Sequence, residues 1–197
     1  FAYCLSLNTI GVKGSMENGK INLPNQLKLI GKNCFKNASS FDSGFSGKKV
    51  YFDVLTIPDG GISYVNIPDS VTQIGESAFQ NNITLMTLNI GRGVEEIPAN
   101  MCSDCGSYPS SKKETAFYDS ETDTYTPIKF LGLKTVTMSD NVRTIGKNAF
   151  YKCYALETPE RIGWNLPEKF ETIGDSAFYQ CMSMESVVFN SALRSIG

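Results

Sequence analysis

Apolar positions in this chain return in a fixed order, separated by polar positions that return with them. From Pro68 to Ile90 the apolar or small residues are Val71, Ile74, Ala78, Phe79, Leu85, Leu88 and Ile90, with Asn82 in the same series. Leu85-x-x-Leu88-x-Ile90 ends in period-two spacing, which predicts a strand with one face buried. Pro68 has no backbone donor and ends the strand that reaches Ile67, while Val71 to Ile74 predicts a second short extended segment. Gly75 then has backbone freedom that other residues lack, which predicts a turn into a short helix carrying Ala78 and Phe79 inward.

The same offsets recur along the chain. Ile30-Gly31-x-x-Cys34-Phe35, Ile74-Gly75-x-x-Ala78-Phe79, Ile145-Gly146-x-x-Ala149-Phe150 and Ile173-Gly174-x-x-Ala177-Phe178 are full copies. Ile97-Pro98-x-x-Met101-Cys102 is degenerate, and Ile196-Gly197 opens another. Successive isoleucines are 44, 23, 48, 28 and 23 residues apart, one period of about 23 with three insertions. A fixed period of this size predicts a solenoid, because one unit cannot close a core and stacked units can. The inward set then includes Ile21, Leu23, Leu27, Leu133, Val136, Met138, Val142, Cys153, Trp164, Leu166, Phe170, Cys181, Met184, Val187 and Phe189. Residues 1–197 are expected to form one such solenoid, with insertions near 39–59 and 107–131. Phe1-x-x-Cys4-x-x-Leu7 matches Phe150-x-x-Cys153-x-x-Leu156, so the chain starts inside a repeat, without methionine. Neither end offers a polar capping repeat, and a fragment of a longer protein is expected, with any export signal upstream.

The pattern Ile-Pro-x-x-Val-x-x-Ile-Gly-x-x-Ala-Phe-x-x-Cys-x-x-Leu-x-x-Val, followed most closely from Pro68 to Ile90, resembles the BspA-type leucine-rich repeat. The resemblance implies a right-handed, β-rich leucine-rich-repeat solenoid of short strands and short helical turns. It also implies an exported or surface protein of a host-associated bacterium or protist, linked to adhesion to matrix proteins or other cells. That family shares no catalytic site, so no cofactor or catalytic residue is implied.

Charge and composition narrow the function. With 18 basic and 20 acidic residues the net charge is -2, and no run of one sign provides a nucleic-acid footprint. No apolar run approaches the roughly 20 residues of a membrane-spanning helix. Cys4, Cys105, Cys153 and Cys181 share one slot, and Cys34 and Cys102 replace Ala and Phe, so buried thiols are expected ahead of disulfides. Cys102-x-x-Cys105 has neither a second pair nor a histidine to complete a zinc site. Gly174-Asp175-Ser176 resembles the nucleophile block of GDSL-type hydrolases. Its counterparts Gly31-Lys32-Asn33, Gly75-Glu76-Ser77 and Gly146-Lys147-Asn148 make it a repeat feature. The chain has no histidine, the usual base for a nucleophile. Glu95-Glu96 and Glu168 with Glu171 are read as surface charges. Asn37-Ala38-Ser39 and Asn82-Ile83-Thr84 fit the glycosylation pattern, with Asn82 expected inside. Asp119, Glu121 and Asp123 lack the remaining ligands of a calcium loop.

Two surfaces remain as candidates. Outward strand residues Thr87, Asn89, Thr135, Thr137, Ser186 and Val188 would align on a polar, nearly neutral face. The first insertion carries Phe41, Phe45, Tyr51 and Phe52, and alternation from Lys48 to Ile67 around Asp59-Gly60-Gly61 predicts a hairpin. The second carries Tyr108, Phe117, Tyr118, Tyr125 and Phe130, a composition suited either to folding back over neighbouring repeats or to adaptable contacts with a partner. The expected role is a non-catalytic interaction module binding protein or glycan, without cofactor. A structural spacer is the alternative, and a carbohydrate-active enzyme using loop carboxylates a weaker one.

Overall fold

Short runs of alternating burial organise the chain. In the computed structural model, described for residues 1–2, 20–38, 62–107, 116–119, 124–127, 130–158 and 164–197, each repeat contributes strands of two to four residues. Strands β1 (Lys20–Asn22), β3 (Tyr64–Ile67), β5 (Thr87–Ile90) and β11 (Thr135–Thr137) form one parallel sheet in that order. Their inward residues Ile21, Val65, Leu88 and Val136 are in register and buried. The second extended segments stack likewise: β2 (Leu29–Ile30) on β4 (Gln73–Ile74). β6 (Glu96–Ile97), β12 (Thr144–Ile145), β14 (Thr172–Ile173) and β16 (Ser195–Ile196) form a parallel sheet of their own. Thus Ile30 faces Ile74, and Ile97, Ile145, Ile173 and Ile196 share one register. β13 (Trp164–Asn165) pairs in parallel with β15 (Val187–Val188).

The segment after each Ile-Gly differs from expectation. The described residues contain no helix. Instead, two non-glycine residues per coil, four apart, have positive φ: Asn33 and Asn37, Ser77 and Asn81, Asn100 and Asp104, Asn148 and Lys152, Ser176 and Gln180. That conformation breaks a right-handed helix. Alternate amides therefore turn toward the next coil. Asn33, Phe35 and Asn37 donate to Glu76, Ala78 and Gln80, and Ser77, Phe79 and Asn81 donate to Ala99, Met101 and Ser103. Asn100, Cys102 and Asp104 donate to Lys147, Ala149 and Tyr151, and Asn148, Phe150 and Lys152 to Asp175, Ala177 and Tyr179. This turn ladder satisfies backbone groups that a helix would have satisfied internally.

Gly75 also has a different job from the one its sequence context suggests. Its φ is not in the positive region; a Cβ there would collide with the backbone at Lys32 of the preceding coil. The Cβ of a residue replacing Gly146 or Gly174 would sit 2.6 Å from the Ala99 or Lys147 backbone nitrogen. Glycine is needed so that coils can approach.

Every inward residue expected between Pro68 and Ile90 is buried, and Phe79, Phe150 and Phe170 are almost fully enclosed in one core. The phenylalanine column runs Phe1–Phe35–Phe79, with ring centroids 5.6 and 5.2 Å apart, and resumes as Phe150–Phe178 at 5.5 Å. Cys102, in the Phe position of the intervening coil, interrupts it. Phe178, Cys181, Met184 and Val187 are partly buried, whereas Phe189, expected inward, is 52% exposed. Among the described residues β15 pairs with β13 along one edge. Ion pairs join adjacent coils: Lys32–Glu76, Asp69–Arg92, Lys134–Glu157, Arg143 with both Glu95 and Glu171, and Lys147–Asp175. Their exposure to water makes each a minor contribution to stability.

Candidate interaction surface

The outward face of the four-stranded sheet carries two rows. One is Lys20, Tyr64, Thr87 and Thr135; the other is Asn22, Asn66, Asn89 and Thr137. Strand alternation puts them opposite the buried Ile21, Val65, Leu88 and Val136. Side chains within the rows are linked. Thr137 Oγ1 donates to Asn89 Oδ1 at 2.7 Å, and Asn89 Nδ2 donates to the Tyr64 hydroxyl at 2.7 Å. The Lys20 ammonium lies 5.8 Å from the Tyr64 ring centroid.

Four of the candidate residues, Thr87, Asn89, Thr135 and Thr137, are therefore brought together. Ser186 is not among them. It is exposed and precedes β15, whose partner β13 belongs to a separate pair, as does the exposed Val188. Lys20, Asn22, Tyr64 and Asn66 were missed, although Lys20-Ile-Asn-Leu-Pro24 and Tyr64-Val-Asn-Ile-Pro68 share the alternation of Thr87-Leu-Asn-Ile90. The alternation of Tyr64–Ile67 suggests a hairpin arm. Instead β3 pairs in parallel on both edges, with β1 and β5, so no edge remains for a hairpin partner. The rest of that proposed hairpin, with Phe41, Phe45, Tyr51, Phe52 and the Asp59-Gly60-Gly61 turn, lies outside the described residues.

The second insertion leaves the coil through an antiparallel pair, β7 (Gly106–Ser107) with β10 (Leu131–Gly132). Beyond it β8 (Ala116–Asp119) and β9 (Thr124–Pro127) form an antiparallel ladder in which Tyr118 and Tyr125 are direct partners. Tyr108, Glu121 and Asp123 lie outside the described residues. Phe130 returns against Tyr154, with centroids 6.1 Å apart. In the chain, the insertions near 39–59 and 107–131 come just before β3 and β11, so both enter strands of the same sheet.

Chemistry elsewhere is quiet. Cys34, Cys102, Cys105, Cys153 and Cys181 are free thiols, and Cys4 lies outside the described residues. The shared slot has a structural use: Cys105 Sγ donates to Phe79 O, Cys153 Sγ to Cys102 O and Cys181 Sγ to Phe150 O, at 3.0, 3.1 and 3.2 Å. Asn82, in the same slot and buried as expected, donates to Phe35 O at 2.8 Å and Phe79 O at 2.6 Å. Burial pushes the Cys102 and Cys153 thiols well up and the Cys181 thiol up to about 12, which disfavours the nucleophilic thiolate. Two exposed carboxylates, Asp69 and Glu76, are held below their ordinary range by hydrogen bonds from Arg92 and Lys32, opposite to what a general acid requires. Ser176 occupies a positive-φ position equivalent to Asn33, Ser77, Asn100 and Asn148. Among the described residues no group of three or more His, Cys, Asp or Glu side chains could hold a metal ion, and no helix is long and apolar enough to cross a membrane.

Stacked parallel strands around a single apolar core define a repeat solenoid. The chain belongs to the family described as BspA type leucine rich repeat region, which matches residues 1–52, 58–162 and 129–197 in six copies. Among solved structures, it is similar to a leucine rich cell surface protein from Faecalibacterium prausnitzii A2-165, with 19% identity and a TM-score of 0.57, over 92% of this chain and 33% of that one. It is also similar to a leucine-rich repeat protein from Bacteroides ovatus ATCC 8483, with 21% identity and a TM-score of 0.48, over 90% and 45% of the two chains. The chain thus spans about a third of the first protein and under half of the second. No curated protein matches it.

Proposed function

We propose that this chain is a non-catalytic interaction module of a cell-surface or secreted protein, binding a protein or glycan ligand of a host. The observation that carries this reading is the four-stranded sheet's outward face, where Thr87, Asn89, Thr135 and Thr137 align in register beside the strands that the insertions enter. The similar Faecalibacterium protein is a leucine rich cell surface protein, which supports the location. Solenoids bind along such extended faces, and insertions on a repeat scaffold often carry binding contacts; Tyr108, Tyr118 and Tyr125 are the candidates in the sequence of the second insertion.

The test is adherence of the purified chain to immobilised matrix proteins and mucin. Two variants are compared with the parent: one replacing residues 108–129 by a short Gly-Ser link above the β7–β10 pair, the other carrying Asn89→Ala and Thr135→Ala. Loss of adherence in either variant, with the melting temperature kept, supports the module. Unaltered adherence in both, or none in the parent, leaves the spacer reading in its place.

A further inference from the structure

The two outward rows have a chemistry that selects among ligands, and this inference rests on the strand-face reading above. None of the eight side chains is acidic, Lys20 alone is charged, and Tyr64 is the single aromatic. A protein partner of ordinary kind needs an apolar centre with aromatic anchors, which this face lacks. What it offers is a set of amides and hydroxyls repeated from coil to coil. From these we infer that the face takes a neutral, linear polysaccharide strand lying across the β-strands.

Hydrogen-bond direction supports the assignment. Thr137 donates to Asn89 and Asn89 donates to the Tyr64 oxygen, so the Tyr64 hydroxyl hydrogen is directed onward to an acceptor. Asn66, exposed in the same row, presents both an N–H donor and a carbonyl acceptor. A sugar hydroxyl is itself donor and acceptor and fits either group. Thr87 and Thr135 add hydroxyls in the adjoining row. The spacing adds a second argument. Parallel strands repeat at about 4.7–4.9 Å, close to the length of one pyranose unit along an extended chain. Four strands therefore span about four consecutive sugars, met by the Tyr64 hydroxyl, the Asn66 amide and the Thr87 and Thr135 hydroxyls.

The experiment is calorimetric titration of the folded chain with linear gluco-, manno- and xylo-oligosaccharides, β-1,4-linked, from two units to six. The expected result is binding to at least one series, tightening up to about four units and then level. Asn66→Ala and Tyr64→Phe each weaken it about tenfold, the loss of one ligand hydrogen bond, with unchanged melting temperature. Absence of binding to all three series, or binding indifferent to length or to both variants, overturns the inference. Adherence to immobilised matrix proteins is measured on the same preparation. If adherence persists without saccharide binding, the ligand is a protein and the module reading survives; if both are absent, both readings fall.

Discussion

The turn ladder and the outward strand face are both polar and both carry side-chain bonds between coils, yet only the turn side's polar residues also hold a positive-φ backbone. On the turn side Asn81 donates to Asn37, Asn148 to Asn100 and Asn100 to Glu76, each bond joining neighbouring coils. The same residues hold positive φ, which Asn tolerates better than branched or apolar residues. Their identity is set by stacking. On the strand face, β pairing already holds the coils together, and Asn66 can change without touching a backbone bond. Polar residues in a repeat are thus of two kinds, and register distinguishes them where residue type does not.

Substitutions on the turn side test that contrast most severely. Phe150→Ala should lower unfolding free energy by about 3–5 kcal/mol, since the ring is fully enclosed and stacks on Phe178. A midpoint near wild type in urea would remove Phe150 from the core. Gly146→Ala should follow at about 1–3 kcal/mol, because the added methyl meets the Ala99 backbone of the adjoining coil. If conformational freedom were the reason for glycine here, alanine would be tolerated, as φ at Gly146 is not in the positive region. Asn82→Ala comes next, at about 1–3 kcal/mol, leaving the Phe35 and Phe79 carbonyls short of a donor. Asn82→Cys should cost less than alanine, because Cys105 and Cys153 serve the same slot through their thiols. Equal losses for the two replacements would refute the shared role.

These same residues show how much the sequence discloses. The buried set was legible because a core imposes periodicity on side chains, and Val71 through Ile90 followed it without exception. The turn ladder was not, since its bonds join backbone groups far apart in sequence and leave as traces mostly Asn, Ser and Asp, with Lys152 and Gln180 at two positions. Gly75 was misjudged for a related reason: close approach by another coil has no signature within the repeat. Half of the strand face was found through Thr87, Asn89, Thr135 and Thr137. The other half was hidden because Tyr64–Ile67 alternates as well as a hairpin arm does, and only pairing on both edges distinguishes the two. Ser186 was misplaced because repeat spacing does not disclose which sheet a strand joins, and β15 beside it pairs with β13 apart from the four-stranded sheet.

The contrast between the two polar sides can be put to one paired measurement, urea unfolding of Asn148→Ala against Asn66→Ala. Asn148 has φ of 53° and bonds across the coil, so alanine there should cost about 1–2 kcal/mol. Asn66 is an exposed strand residue, and its loss should stay within about 0.5 kcal/mol. Equal destabilisation, or a larger loss at Asn66, would contradict the division of labour between the turn ladder and the strand face.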